Sequence, residues 1–114
     1  MVRTQQVRTF SDLSNPCRRL VRLAQNVSFG RIRLAVQDGE PALDRSWRTR
    51  RTVKLAGGED RARPEAGGAD FTLRREHVAL CAQLARITNR ACVTIEIRHG
   101  LPFVIEIEQE HQAA

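Results

Sequence analysis

No apolar run in this 114-residue chain approaches the roughly 20 residues needed to cross a bilayer. The opening Met1-Val2-Arg3-Thr4-Gln5-Gln6-Val7-Arg8 has no apolar stretch of the kind a signal peptide carries. The expectation is therefore a cytoplasmic protein with no membrane partner. Cysteine is scarce: Cys17, Cys81 and Cys92 are odd in number and scattered, whereas a disulfide scaffold or zinc site shows paired, closely spaced cysteines. Reduced thiols and no disulfides are expected. A phosphate-cradling loop is missing too, because Gly57-Gly58 and Gly67-Gly68 lack the lysine and following helix it needs. Lysine occurs once, at Lys54, so 18 of the 19 basic residues are arginine.

That arginine gives the chain a formal net charge of +6, a balance that favours polyanions such as nucleic acid. The charge is uneven. Met1 to Arg63 carries 14 basic and 6 acidic residues, and Pro64 to Ala114 carries 5 and 7. Guanidinium groups suit bidentate phosphate contacts, although a coding bias toward arginine accounts for the same excess.

A chain of this length forms about one domain and buries roughly two thirds of its unfolded surface. After an N-terminal arm (1–15), Ser14-Asn15-Pro16 reads as a helix start, with Asn as cap and Pro in the first turn. Cys17, Leu20, Val21, Ala24 and Val27 then recur at helical spacing, and Phe29-Gly30 closes the helix. Ile32, Leu34 and Val36 alternate with Arg31, Arg33, Ala35 and Gln37 as on a strand, and Asp38-Gly39 supplies a two-residue hairpin turn. The return strand is predicted over 40–45, with Pro41 marking an edge or bulge, and a further extended piece over 52–55.

Residues 56–69 hold four glycines, a proline and no bulky aliphatic, the composition of a flexible linker. The pattern then returns over 70–110. A second helix is predicted from about Thr72 with Leu73, Val78, Cys81, Leu84, Ala85 and Thr88 on one side. A strand with Val93, Ile95 and Ile97 follows, then a turn at His99-Gly100. The return strand is expected to bury Phe103, Ile105 and Ile107, with 111–114 as a tail. The two stretches align at a constant offset of 61: Leu23 with Leu84, Ile32 with Val93, Leu34 with Ile95, Val36 with Ile97, Gly39 with Gly100, Pro41 with Pro102. A helix over one hairpin cannot bury enough apolar surface to be stable alone. The expected fold is therefore α+β: two helix–β-hairpin repeats in one globular domain, forming a pseudo-twofold antiparallel sheet with both helices on one face.

The stretch Asn26-Val27-Ser28-Phe29-Gly30-Arg31-Ile32-Arg33-Leu34-Ala35-Val36-Gln37-Asp38-Gly39, followed by Asp44-Arg45-Ser46, resembles the YezD family of short uncharacterised bacterial proteins. The likeness covers Leu20 to Arg50 and rests on Phe-Gly at a fixed distance before Asp-Gly and on the acidic-Arg-hydroxyl triplet. The second half keeps the architecture without those residues, as a degenerate copy. The resemblance implies the fold of the first half and a prokaryotic cytoplasmic setting. It implies no activity, and only an association with sulfur assimilation.

The segment Arg45-Ser46-Trp47-Arg48-Thr49-Arg50-Arg51-Thr52-Val53-Lys54 sets five cations around the only tryptophan. Guanidiniums fork onto phosphates and an exposed indole stacks on an unpaired base, so these residues are the candidate nucleic-acid contacts, extended by Arg31 and Arg33 from the neighbouring strand. If the segment is extended, Arg48 and Arg50 share one face and Arg45 and Arg51 the other. The competing reading is a solvated strand whose Trp47 packs on the core edge. Metal binding would need His77 and Cys81 joined by two of Cys92, His99 and His111; a small buried hydrophobe explains Cys81 better, and no metal or cofactor is expected. No cysteine or serine carries a recognisable catalytic signature, so an enzyme is disfavoured. Glu96, Glu106, Glu108 and Glu110 give the second half the opposite sign, suited to a protein partner or head-to-tail self-association, or simply to a wet sheet face.

Overall fold

The structure, a computed structural model, describes residues 9–55, 68–109 and 111. The first helix, α1, spans Asn15–Val27, and its cap is Ser14 rather than Asn15. The Cys17 backbone N–H donates to Ser14 Oγ at 3.4 Å, satisfying one of the donors a helix start leaves free. Leu20, Val21, Ala24 and Val27 are buried, as their spacing predicts. The exit differs from expectation. Ser28, at φ 67°, turns the chain, its N–H donating to the Ala24 carbonyl at 3.1 Å, so Phe29-Gly30 is left to begin the next element.

Strand β1 (Gly30–Gln37) buries Ile32, Leu34 and Val36 and exposes Arg31, Arg33 and Gln37. Asp38 and Gly39, at φ 49° and 84°, form the left-handed pair that a two-residue hairpin requires. The return strand expected over 40–45 is instead broken. Strand β2 is only Glu40–Pro41; the Ala42 N–H still donates to Ala35, and then Leu43 drops into the core and takes the chain off the ladder. The chain rejoins β1 as β3 (Arg48–Arg51), and residues 52–55 are not a strand. Pro41 fits here because the alternating ladder points its backbone nitrogen to the open edge.

The second helix, α2 (Arg75–Ala85), starts three residues later than expected, because Thr72 is held in an isolated bridge with Thr9. Its buried face is also rotated. Leu73, His77, Leu80, Leu84 and Ile87 point inward, whereas Val78, Ala85 and Thr88 are exposed and Cys81 is half-buried. The imidazole sets that rotation: His77 Nδ1 accepts from the Arg74 N–H at 3.1 Å at the helix start, and its ring is fully enclosed.

Strand β4 (Arg90–Arg98) turns through His99 and Gly100, at φ 52° and 73°, into β5 (Leu101–Glu108). The expected burial of Phe103 and Ile107 does not occur; they are 58% and 40% exposed, and Ile105 is half-buried. Strand β5 is the outermost strand, paired on one side only, and its register slips so that Glu96 faces Val104 while Ile97 faces Pro102. Phe103 is thereby left as the extra residue of a bulge.

The five strands form one antiparallel sheet in the order β2-β1-β4-β5, with β3 joined to β1 beside β2. At its centre β1 pairs with β4, placing Ile32 opposite Ile95, Leu34 opposite Val93 and Val36 opposite Ala91. These side chains share one core with Leu20, Ala24 and Val27 of α1 and Leu80 and Leu84 of α2, so both helices seal the same sheet face in an α+β architecture. A smaller cluster joins Phe10, Leu13, Cys17 and Val21 to Leu73. There Phe10 stacks on Phe71 at 5.0 Å, and the backbone N–H and hydroxyl of Ser11 both donate to the Asp70 carboxylate at 2.9 Å. Those bonds hold the Asp70 carboxyl below the usual carboxylate range. Most of the linker expected over 56–69, and Glu110, lie outside the described residues.

Candidate nucleic-acid interface

The helices cover one side of the sheet, and the alternation of β1 sends Arg31 and Arg33 to the other. The β1:β3 register sets Arg31 directly opposite Arg50 and Arg33 directly opposite Arg48. All four side chains are on exposed residues. Four guanidiniums thus occupy a two-by-two block, with neighbours about 7 Å apart along a strand and about 5 Å apart across it at Cβ. Like charges directly opposite on a sheet repel, so this block gains from a counter-anion.

Gly30 makes this register attainable. A Cβ placed there would lie 1.8 Å from the Arg50 carbonyl oxygen, so only glycine lets β3 close onto the start of β1. The Thr52 N–H completes the closure by donating to the Phe29 carbonyl at 2.8 Å. Phe29-Gly30, a structural pair in the sequence, therefore serves to dock the arginine-bearing strand.

Of the other candidate residues, Arg45 lies in the loop between β2 and β3, Lys54 lies past the end of β3, and Arg51 points to the opposite side of β3 from Arg48 and Arg50. Trp47 is 39% exposed at the sheet margin, where it borders two depressions. One includes Arg33, Arg48 and Arg90; the other includes Arg18 and Arg19 from α1. Helical spacing alone does not bring Arg18 and Arg19 near Trp47; their approach comes from how α1 lies over the sheet. Arg22 borders the same depression but is tied down there, over the Phe10 ring at 4.3 Å and donating to Gln25 and to the Gly68 carbonyl.

An acidic flank adjoins the block. Glu96 lies opposite Arg31 across the β1:β4 seam and pairs with Arg98 at 3.3 Å. Cys92 and Glu108 beside Arg33 hold its guanidinium proton more firmly than usual. Glu106 and Glu108 of β5 lie on the same face, opposite Thr94 and Cys92 of β4. The open face therefore grades from cationic at β3 to anionic at β5.

Other chemistry is sparse. Among the described residues no three His, Cys, Asp or Glu side chains converge as metal ligands. All three cysteines are free. The Cys17 thiol is pushed well above the usual cysteine range, first by its hydrogen bond with Cys81 and then by burial, which makes it a poor nucleophile. No described helix is long and apolar enough to cross a membrane. Compared with known proteins, the chain matches no family model, no curated protein and no solved structure.

Proposed function

We propose that this protein is a small noncatalytic binding module whose open sheet face takes the phosphate backbone of RNA or DNA. The observation that carries the reading is the facing of Arg31 with Arg50 and Arg33 with Arg48 on an exposed surface. Each facing pair brackets one phosphate, and the spacing along the strands suits consecutive phosphates of an extended single strand. Trp47, half-exposed at the end of the block, offers a stacking surface for an unpaired base. Arg45, Arg51 and Lys54 add longer-range attraction.

The scaffold under that face is read as two copies of one unit, related by a pseudo-twofold axis and akin to YezD-like proteins of the bacterial cytoplasm. Ser28 and Asn89, Asp38 and His99, and Gly39 and Gly100 share positive φ at the constant offset of 61. At that same offset Arg33 and Thr94 are equivalent residues, and they face each other across the central seam. The second reading, a protein-interaction or assembly subunit that under the family resemblance would be accessory to sulfur metabolism, is favoured by exposed Phe103, Val104 and Ile107 on β5.

The test is a salt series of binding to fluorescent single-stranded and duplex RNA and DNA. In log–log form the slope should fall by about 0.7 per lost phosphate contact on single strands and about 0.9 on duplexes. The double variant R48E/R50E is expected to lose about 1.4 to 1.8 of slope. Trp47→Ala should weaken single-strand binding about tenfold and leave the slope alone. Equal, weak binding by wild type and R48E/R50E would end the nucleic-acid reading.

A further inference from the structure

We infer that a second copy of this chain adds its β5 to the free edge of β3, extending the sheet head to tail. Among the described residues no strand lies outside β3 on one side of the sheet or outside β5 on the other. Both edges carry main-chain groups able to continue the ladder, and such edges are templates for pairing. Direction fits: β3 and β4 both run antiparallel to β1, and β5 runs antiparallel to β4. A copy shifted sideways across the sheet therefore brings β5 antiparallel to β3, with the helices of both copies on the same side.

The hydrogen-bond phase selects the register. Thr52 donates to Phe29, so by alternation Arg50 and Arg48 direct their main-chain groups toward β1, and Thr49 directs its own outward. The same alternation, carried from β1 through β4, turns Glu106 and Glu108 toward β4 and leaves Ile105 and Ile107 facing the outer edge. Pairing Thr49 with Ile107 of the second copy joins outward-facing groups to outward-facing groups. Arg50 then lies directly opposite Glu106, and Arg48 directly opposite Glu108, all four side chains on the open face. Two opposite-charge cross-strand pairs form from one choice of register. Continued along the chain, that register brings Val53 alongside Phe103, residues 57% and 58% exposed in the single copy.

Charge also rejects the symmetric alternatives. Strand β5 against another β5 gathers four glutamates on one face, and β3 against β3 gathers four arginines. Head-to-tail contact does not close on itself, so growth into open chains is expected. Because Arg48 and Arg50 serve both surfaces, nucleic acid and a second copy compete for β3, but the inference itself does not rest on nucleic-acid binding.

Sedimentation velocity and light scattering across protein concentration, at low and high salt, test it with two charge-reversed variants. Wild type should grow in mass with concentration at low salt and shrink toward monomer at high salt. E106R/E108R and R48E/R50E should each lose association by about tenfold or more, and an equimolar mixture should regain it, since every β3:β5 contact between the two variants pairs opposite charges. E106R/E108R should bind nucleic acid at least as tightly as wild type if that reading holds, since it adds cations to the same face, so loss of assembly there is separable from loss of ligand. A wild type that stays monomeric at low salt overturns the inference. So does an R48E/R50E variant that associates like wild type, which would mean β5 pairs with itself, and so does a mixture that fails to assemble.

Discussion

Replacing Gly30 with alanine isolates the contact that holds the arginine block together. The new methyl would meet the Arg50 carbonyl at 1.8 Å, with backbone rather than a flexible side chain as its neighbour, at a residue whose φ of 150° side chains rarely adopt. Strand β3 must give way, because β1 is fixed on its other side by eight cross-strand pairs with β4. The main-chain bonds between Arg31 and Arg50, between Arg33 and Arg48, and from Thr52 to Phe29 are then weakened or lost. All four β3 residues are exposed, so little apolar burial goes with them. At about 0.5–1 kcal/mol net per edge bond, with about two or three of these bonds lost and the rest weakened, the cost is about 1–3 kcal/mol. For a chain of this size that lowers Tm by roughly 4–15 °C. Thermal unfolding by circular dichroism reads the first quantity. Native-state hydrogen exchange reads the second: the Arg48, Arg50 and Thr52 amides should lose protection while that of Ile95 keeps most of its own. Nucleic-acid binding should fall toward that of R48E/R50E, since the facing pairs no longer face. An unchanged Tm with protected Arg48 and Arg50 amides would refute the argument from close approach.

Two further outcomes follow from the core and from the Asp70 tether. Ile95→Ala removes a fully buried side chain at the central seam and should cost about 2–5 kcal/mol in denaturant unfolding; combined with Ile32→Ala, its direct partner, the losses should be non-additive. For Asp70, the folded pKa is depressed, so its contribution to stability is complete above the unfolded carboxylate value and vanishes as pH falls through the folded value. The Tm difference between wild type and Asp70→Asn should therefore be constant from about pH 6 to 8 and fade as pH falls through the folded carboxyl's depressed value; a difference that persists in strong acid would show that the Ser11 bonds are not its source.

The alternation of Ile32, Leu34 and Val36, the same pattern at Val93, Ile95 and Ile97, and the turns at Asp38-Gly39 and His99-Gly100 are local signals, and the structure keeps each of them. What the sequence could not supply depended on contacts distant along the chain. Leu43 looks like any aliphatic in a return strand, yet its place in the core splits that strand in two. His77 counts as polar in a periodicity argument, and its enclosure turns α2 by about one residue so that Leu80 rather than Cys81 faces inward. Phe103 and Ile107 alternate like buried residues but belong to the outermost strand. The arginines were legible as a cluster, Arg31 and Arg33 on a strand and Arg48, Arg50 and Arg51 in a segment that was only conditionally extended. Their facing was not, because it needs the β1:β3 register that Gly30 allows, and the approach of Arg18 to Trp47 needs the position of a helix.

The central seam joins β1 to β4, about 60 residues apart in the chain, while each hairpin closes across two residues. Turn closure takes microseconds, whereas bringing the two middle strands together carries the loop entropy of the whole intervening segment. Folding should thus be limited by the meeting of the two middle strands, each hairpin forming only transiently before it. Because that entropy grows only as the logarithm of length, changing the number of residues between them should alter the rate only slightly, and mutations within the seam should slow it far more.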